Sequence, residues 1–379
     1  MTSLDPAAAA AAYVQRLPAA ALAAAPAQTA WNETLLAASV AVALLAAFTV
    51  ARLGVLDRIR GGLGAAARPA WMVDAACAGA ATGLVGLALA LLAPISAAHA
   101  GGAGGGLAAL VVALRQAAMF GLVGALFAPP LYALMRWLPA LWAPLLGSLA
   151  AMLVFAALWL PFAEASGPAN LPAAPAGPAR AGLLRLIADT GLPASEVYVS
   201  ANPAIDADVT GAGPARVVIS HGLWTLASPE ELRASVGHLI GHRAHHDQLS
   251  IALLLGILAL GLFIAIRRLT GPAARLMGLT QVRGPADPLA APALVAVAIA
   301  YLCVALVADH AFIRWINVRA DQYSLDHAHE PDGLAQALLH EWKGEAVDPS
   351  ALQEALFYDH PALQGRLEHA MRWKAAHPG

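Results

Sequence analysis

The chain has 379 residues, 59% hydrophobic and only 12% charged, against about 25% charged in a typical water-soluble domain. Its formal net charge is −2, lysine occurs only at positions 343 and 374, and no basic run offers a surface for nucleic acid. Cys77 and Cys303 both lie in apolar stretches, which argues against a disulfide framework.

Residues 1–30 form an alanine-rich segment that lacks the basic start and compact leucine-rich centre of a standard signal peptide. Four apolar runs follow, at about 31–53, 71–95, 106–128 and 141–162. A helix needs about 20 apolar residues to cross about 30 Å of hydrocarbon, so residues 31–162 read as a four-span membrane region. Asp74 and Arg115 fall inside these spans. Ionisable groups there face a bundle interior or a cavity, so the two are candidates to pair with each other, or else to snorkel near a span end.

Residues 163–248 read as a polar insert. A Pro/Ala-rich linker, "PFAEASGPANLPAAPAGPARAG", leads into it. Leu183, Leu184, Leu186 and Ile187 have helical spacing, while "SEVYVSA" and "ARVVIS" read as short strands. The second is a candidate edge for pairing with an extended peptide. In "SPEELRASVGHLIGH", Ser228 is a helix N-cap and Glu231, three residues on, completes a capping box. Two further spans, at about 249–267 and 288–310, precede a polar helical part at 311–379.

Arginine is concentrated in alternate loops: Arg52, Arg58, Arg60 and Arg68 after the first span, Arg136 after the third, and Arg267, Arg268, Arg275 and Arg283 between the last two. The positive-inside rule puts these loops in the cytoplasm, and both termini and the insert on the other side.

The predicted helix through "EELRASVGHLIGHRAHHD" places His238 and His242 four residues apart on one face, where two imidazoles can share a metal ion. His245 lies about 10 Å along the axis from His238, so a third ligand has to come from elsewhere. In an H-E-x-x-H helix the glutamate activates the attacking water; here that position is Leu239.

The wider pattern resembles the integral-membrane zinc metallopeptidases that include the CaaX prenyl protease and HtpX. The match on the histidine helix runs through Glu230, Glu231, Val236, His238, Gly241, His242 and Asp247. Upstream, "DADVTGAGPARVVISHGL" resembles the family's N-A-x-x-T-G, strand and G-L. Downstream, "IRWINVRADQYSL" stands where the family has S-R-x-x-E-x-x-A-D-x-x-A. "YDHPALQGRL" carries His360, Pro361, Arg366 and Leu367 in register with a tail motif. The resemblance implies a mainly α fold: a polytopic transmembrane bundle with a small α+β metallopeptidase-like domain, cytoplasmic by family habit and with one span more than the six counted here.

It also implies zinc as cofactor, His238 and His242 as ligands, and Asp321 as the carboxylate that steadies a ligand histidine. Substrate would lie along Asp206, Ala207 and the strand through Val218. Three departures stand out: Leu239 replaces the general-base glutamate, Asn317 replaces the ligand glutamate, and Asp206 replaces an asparagine. The expected function is a degenerate peptidase that binds peptides or membrane proteins. Two alternatives stay open. One is an active metal-dependent endopeptidase or other hydrolase, rearranged around His238, His242 and Asp321, with His310 as a substitute ligand two turns before Asn317. The other is a helical transport or scaffold protein. The expected partners are a lipid bilayer, as in the inner or plasma membrane of a bacterium, and a peptide or membrane-protein client, with no nucleic acid.

Overall fold

The computed structural model describes residues 4–65, 69–99, 105–167 and 169–378; Arg68, one of the loop arginines, lies outside them. The first helices are α1 (Pro6–Val14), α2 (Ala19–Arg52), α3 (Val55–Ala65), α4 (Ala70–Ala90), α5 (Ala93–His99), α6 (Gly105–Trp137), α7 (Trp142–Glu164) and α8 (Pro178–Asp189). Three strands follow: β1 (Val197–Ser200), β2 (Ala207–Thr210) and β3 (Arg216–Ser220). The remaining helices are α9 (His221–Leu226), α10 (Pro229–Ala244), α11 (Asp247–Leu276), α12 (Ala291–Ala328), α13 (Pro331–Glu341), α14 (Ala351–Phe357) and α15 (Leu363–Ala376). The fold is mainly α with one small sheet, as the sequence predicts. Among the described residues, six helical stretches are long and apolar enough to cross a bilayer: 19–52, 70–99, 106–137, 142–164, 247–276 and 288–328. Each contains or closely overlaps one of the six apolar runs.

The chain divides into two compact units. One comprises residues 31–152 and 256–306. Within it α4 and α6 pack through small residues: a Cβ on Gly86 would lie 3.0 Å from Ala117 Cα, and one on Gly79 would lie 3.0 Å from the Gly121 carbonyl. Backbones can approach this closely only where side chains are small, which is how helices associate in lipid. Asp74 is buried, and its partner is Arg136, whose guanidinium donates to both carboxylate oxygens at 3.1 and 2.5 Å. This corrects the expected Asp74–Arg115 pair. Asp74 sits near the start of α4, and antiparallel packing brings the end of α6 to it. Arg115 lies 21 residues earlier, about 31 Å along the axis, on an exposed face of α6.

The other unit comprises residues 1–30, 153–255 and 307–379. The alanine-rich start forms α1, capped by the Asp5 carboxylate, which accepts from Ala7 N–H at 3.0 Å. Tyr13 of α1 is buried in a cluster with Leu334 and Leu338 of α13 and Leu367 of α15, and its hydroxyl donates to Asp332 at 2.6 Å.

The sheet order is β1-β3-β2, with β1 parallel and β2 antiparallel to β3. "ARVVIS" is therefore the central strand rather than an edge, and Val218 is held between Tyr198 and Asp208. That corrects the expectation that its backbone is open to a peptide. The outer side of β1 is partly covered, because Val199 N–H donates to the Pro172 carbonyl and Ala174 N–H to that of Val197. The open edge is β2, a strand the sequence reading did not identify.

One face of the sheet packs with α8 and α10 around Leu183, Ile187, Val217, Ile219, Leu232 and Val236. Helix α10 starts as predicted, with Ser228 Oγ accepting from Glu231 N–H at 3.2 Å. The Glu231 side chain does not close the capping box; it is buried and bonded to His340 Nδ1 at 2.5 Å. Further along, Gly241 lets α12 approach: a Cβ there would lie 2.9 Å from Tyr323 Cβ and 3.1 Å from Ala320 Cα.

Candidate active site

The close approach at Gly241 brings the histidine face of α10 against α12 between Asn317 and Asp321. His238 and His242 meet edge to face, their Nε2 atoms 3.0 Å apart. Behind them, His238 Nδ1 is 2.8 Å from Asp321 and His242 Nδ1 is 2.9 Å from Asp247. Each carboxylate is also gripped from behind. Arg366 donates to both oxygens of Asp321 at 2.7 and 2.8 Å. Arg319 donates to Asp247 and lies over the Trp315 ring at 3.7 Å.

An arginine-paired carboxylate only accepts, so both Nδ1 atoms carry the proton and both Nε2 lone pairs point at each other. Such a pair is stable around one shared positive charge, either a proton or a metal ion. Burial pushes the His238 imidazole below its usual value, with Asp321 pulling the other way. Burial thus favours its neutral form, in the carboxylate–histidine arrangement that orients metal ligands.

A cleft of about 970 Å³ opens over this pair, lined by His238, Leu239, His242 and Asn317, and on its other sides by Asp206, Ala207, His360 and Arg366. Asp321 is buried behind it. Asn317 is also buried, and its amide nitrogen donates to the Ile313 carbonyl of its own helix at 2.9 Å. Neither Val218 nor His310 is among the lining residues. His310 Nδ1 is buried without a partner among the described residues, so the expected substitute ligand is not brought to the histidine pair. Among the described residues no three His, Cys, Asp or Glu side chains converge on a metal-sized point.

Residues 176–374 match peptidase family M48. The chain is 30% identical over 206 residues to a protease HtpX homolog of Streptococcus pneumoniae strain Hungary19A-6, a match covering 47% of this chain and 67% of the relative. The homolog from strain P1031 matches with the same identity and coverage. The chain belongs to peptidase family M48.

The crystal structure of S. mikatae Ste24p is similar with a TM-score of 0.44 and 15% identity, over 69% of this chain and 65% of that one; this chain thus spans slightly under two thirds of that structure. With its six apolar helices, this M48 member is a multi-pass integral membrane protein.

The two imidazoles fit half of a zinc site. Catalytic zinc takes three protein ligands and an open position, and Asn317, which lines the cleft with the two histidines, offers only a neutral amide, a poor donor for zinc. The nearby carboxylates do not make up the deficit. Asp321 and Asp247 are each committed to a histidine and an arginine, Glu231 to His340, and Asp206 and Asp208, although they line the cleft, do not converge with the two histidines on one point. The donor set therefore falls one anionic ligand short of a catalytic zinc site, and the residue beside His238 cannot accept a proton from water. The sequence reading missed Arg319 and His340. The only hint of Arg319 is its position two residues before Asp321, and His340 carried no motif signal.

Proposed function

We propose that this M48 member holds extended peptide segments in its cleft without hydrolysing them. The observation that carries the proposal is the pairing of an intact peptide-sized cleft with two neutral residues, Leu239 and Asn317, where the chemistry needs carboxylates. The holding surface is the open edge of β2. Ser220 N–H donates to the Asp206 carbonyl, so in the antiparallel register Asp206, Asp208 and Thr210 turn their backbone groups toward β3. Ala207 and Val209 turn theirs outward, with the Val209 N–H donating to the Asp208 carboxylate and the remaining groups free of backbone partners among the described residues. Beyond them the edge closes, with Gly211 N–H bonded to the Phe162 carbonyl at 3.0 Å. Ala207 and Val209 both line the cleft. A strand laid against them gains main-chain hydrogen bonds whatever its sequence.

The test uses the full-length protein in detergent and a fluorescein-labelled ten-residue Ala/Val peptide, with fluorescence anisotropy for binding and mass spectrometry for integrity. The peptide is expected to bind and to be recovered intact after prolonged incubation. N-methylation of alternate amides is expected to weaken it roughly tenfold, the value of one to two lost hydrogen bonds. Cleavage that disappears in His238→Ala, or binding indifferent to N-methylation, overturns the proposal.

A further inference from the structure

We infer that the cleft prefers basic segments with Lys or Arg at two alternate positions, read by Asp206 and Asp208. This selectivity presupposes pairing along the β2 edge as proposed above. Successive side chains of a strand point to opposite faces. Ala207 and Val209 face inward, Val209 buried in the core and Ala207 packed against it, which leaves Asp206 and Asp208 on the other face, where both are exposed and line the cleft. Among the described residues neither carboxylate has a basic partner within salt-bridge distance. The arginines of the cleft are committed elsewhere, Arg366 to Asp321 and Arg243 to the Gly213 carbonyl. Desolvation of its carboxyl within the cleft and then the neighbouring Asp206 push Asp208 above the usual carboxylate value, with the Val209 N–H pulling the other way and no cation among the causes.

The register turns this into a spacing rule. Asp206 and Asp208 direct their backbone groups toward β3, so against an added antiparallel strand they occupy non-hydrogen-bonded positions, where facing side chains come closest. Their anchorage is firm, because Asp206 N–H donates to Ser220 Oγ at 3.0 Å. The residues opposite them in the added strand are i and i+2, both projecting onto the carboxylate face. Opposite charges in such pairs favour binding and like charges oppose it.

The test uses four fluorescein-labelled nine-residue peptides on an Ala/Val background: Lys at positions 4 and 6, Lys at 4 and 5, Glu at 4 and 6, and the first again with alternate N-methyl amides. Binding is measured by anisotropy on the full-length protein and on Asp206→Asn/Asp208→Asn. The alternate-lysine peptide is expected to bind about tenfold more tightly than the glutamate peptide and several-fold more tightly than the adjacent-lysine peptide. The preference is expected to vanish in the double asparagine variant. Equal binding of the lysine and glutamate peptides, with N-methylation still disruptive, overturns the charge preference and leaves edge pairing standing. Indifference to N-methylation removes edge pairing and the charge preference with it.

Discussion

Replacing Leu239 and Asn317 together by glutamate is expected to give a chelator-sensitive peptidase, with cleavage at least about 100-fold above the wild-type background. Both positions line the cleft beside the histidine pair, and the two imidazoles already have their Nδ1 atoms fixed by Asp321 and Asp247. What is missing is a third, anionic ligand from α12 and a carboxylate next to His238 to accept a proton. A positioned general base contributes about 10²–10⁴-fold, so Asn317→Glu alone is expected to restore metal affinity with little turnover. Leu239→Glu alone is expected to do neither. A fluorogenic peptide assay with and without 1,10-phenanthroline, read beside the zinc content of each variant, distinguishes the three. A double variant that takes up zinc and binds peptide yet stays inert would mean that the cleft has lost more than its two carboxylates.

The second large effect is expected on stability. Arg366→Ala removes the two-pronged partner of Asp321, and both side chains are buried, 8% and 2% exposed. Deleting one member of a buried ion pair strands the other charge, at a cost of about 3–5 kcal/mol. His238 is left as the only partner of Asp321 among the described residues, so the histidine geometry loosens as well. Arg366→Lys keeps the charge without the fork and is expected to recover only part of the loss. Replacing both partners, Asp321→Asn with Arg366→Met, is expected to cost less than the sum of the single changes. Chemical unfolding in detergent measures all five variants; a loss below about 1 kcal/mol in Arg366→Ala would show that water solvates Asp321 once the arginine is gone.

Long-period signals carried well from sequence to structure. The six apolar runs, the Ser228 cap and the i, i+4 histidines each depend on local chain geometry alone. Asp321 and Arg366 were also legible, through motif register.

The failures are tertiary. Strand β2 is four residues long, follows Asp206 directly and contains Asp208 in "DADVT", a composition with low strand propensity, and it exists because β3 pairs with it. With β2 outermost, the sheet edge lies at Ala207 and Val209 rather than at Val218. The partner of Asp74 depends on which ends of α4 and α6 meet, and Arg115 is the only arginine in the interior of an apolar run rather than at its end. Glu231 looked like half of a capping box because the spacing allowed it, but burial against α13 gave it His340 instead. Helix α1 carried no signal beyond alanine content, and its role rests on Tyr13 finding a pocket between α13 and α15.

The zinc content of the detergent-purified full-length protein tests the central claim most directly, measured by elemental mass spectrometry beside His238→Ala and Asn317→Glu. With only two imidazoles and a neutral amide, wild type is expected to retain well under one zinc per chain after dialysis. His238→Ala is expected to retain none, and Asn317→Glu close to one. Stoichiometric zinc in wild type that is lost in His238→Ala would contradict this account, because a third ligand would then be completing the site and hydrolysis would again be the function to pursue.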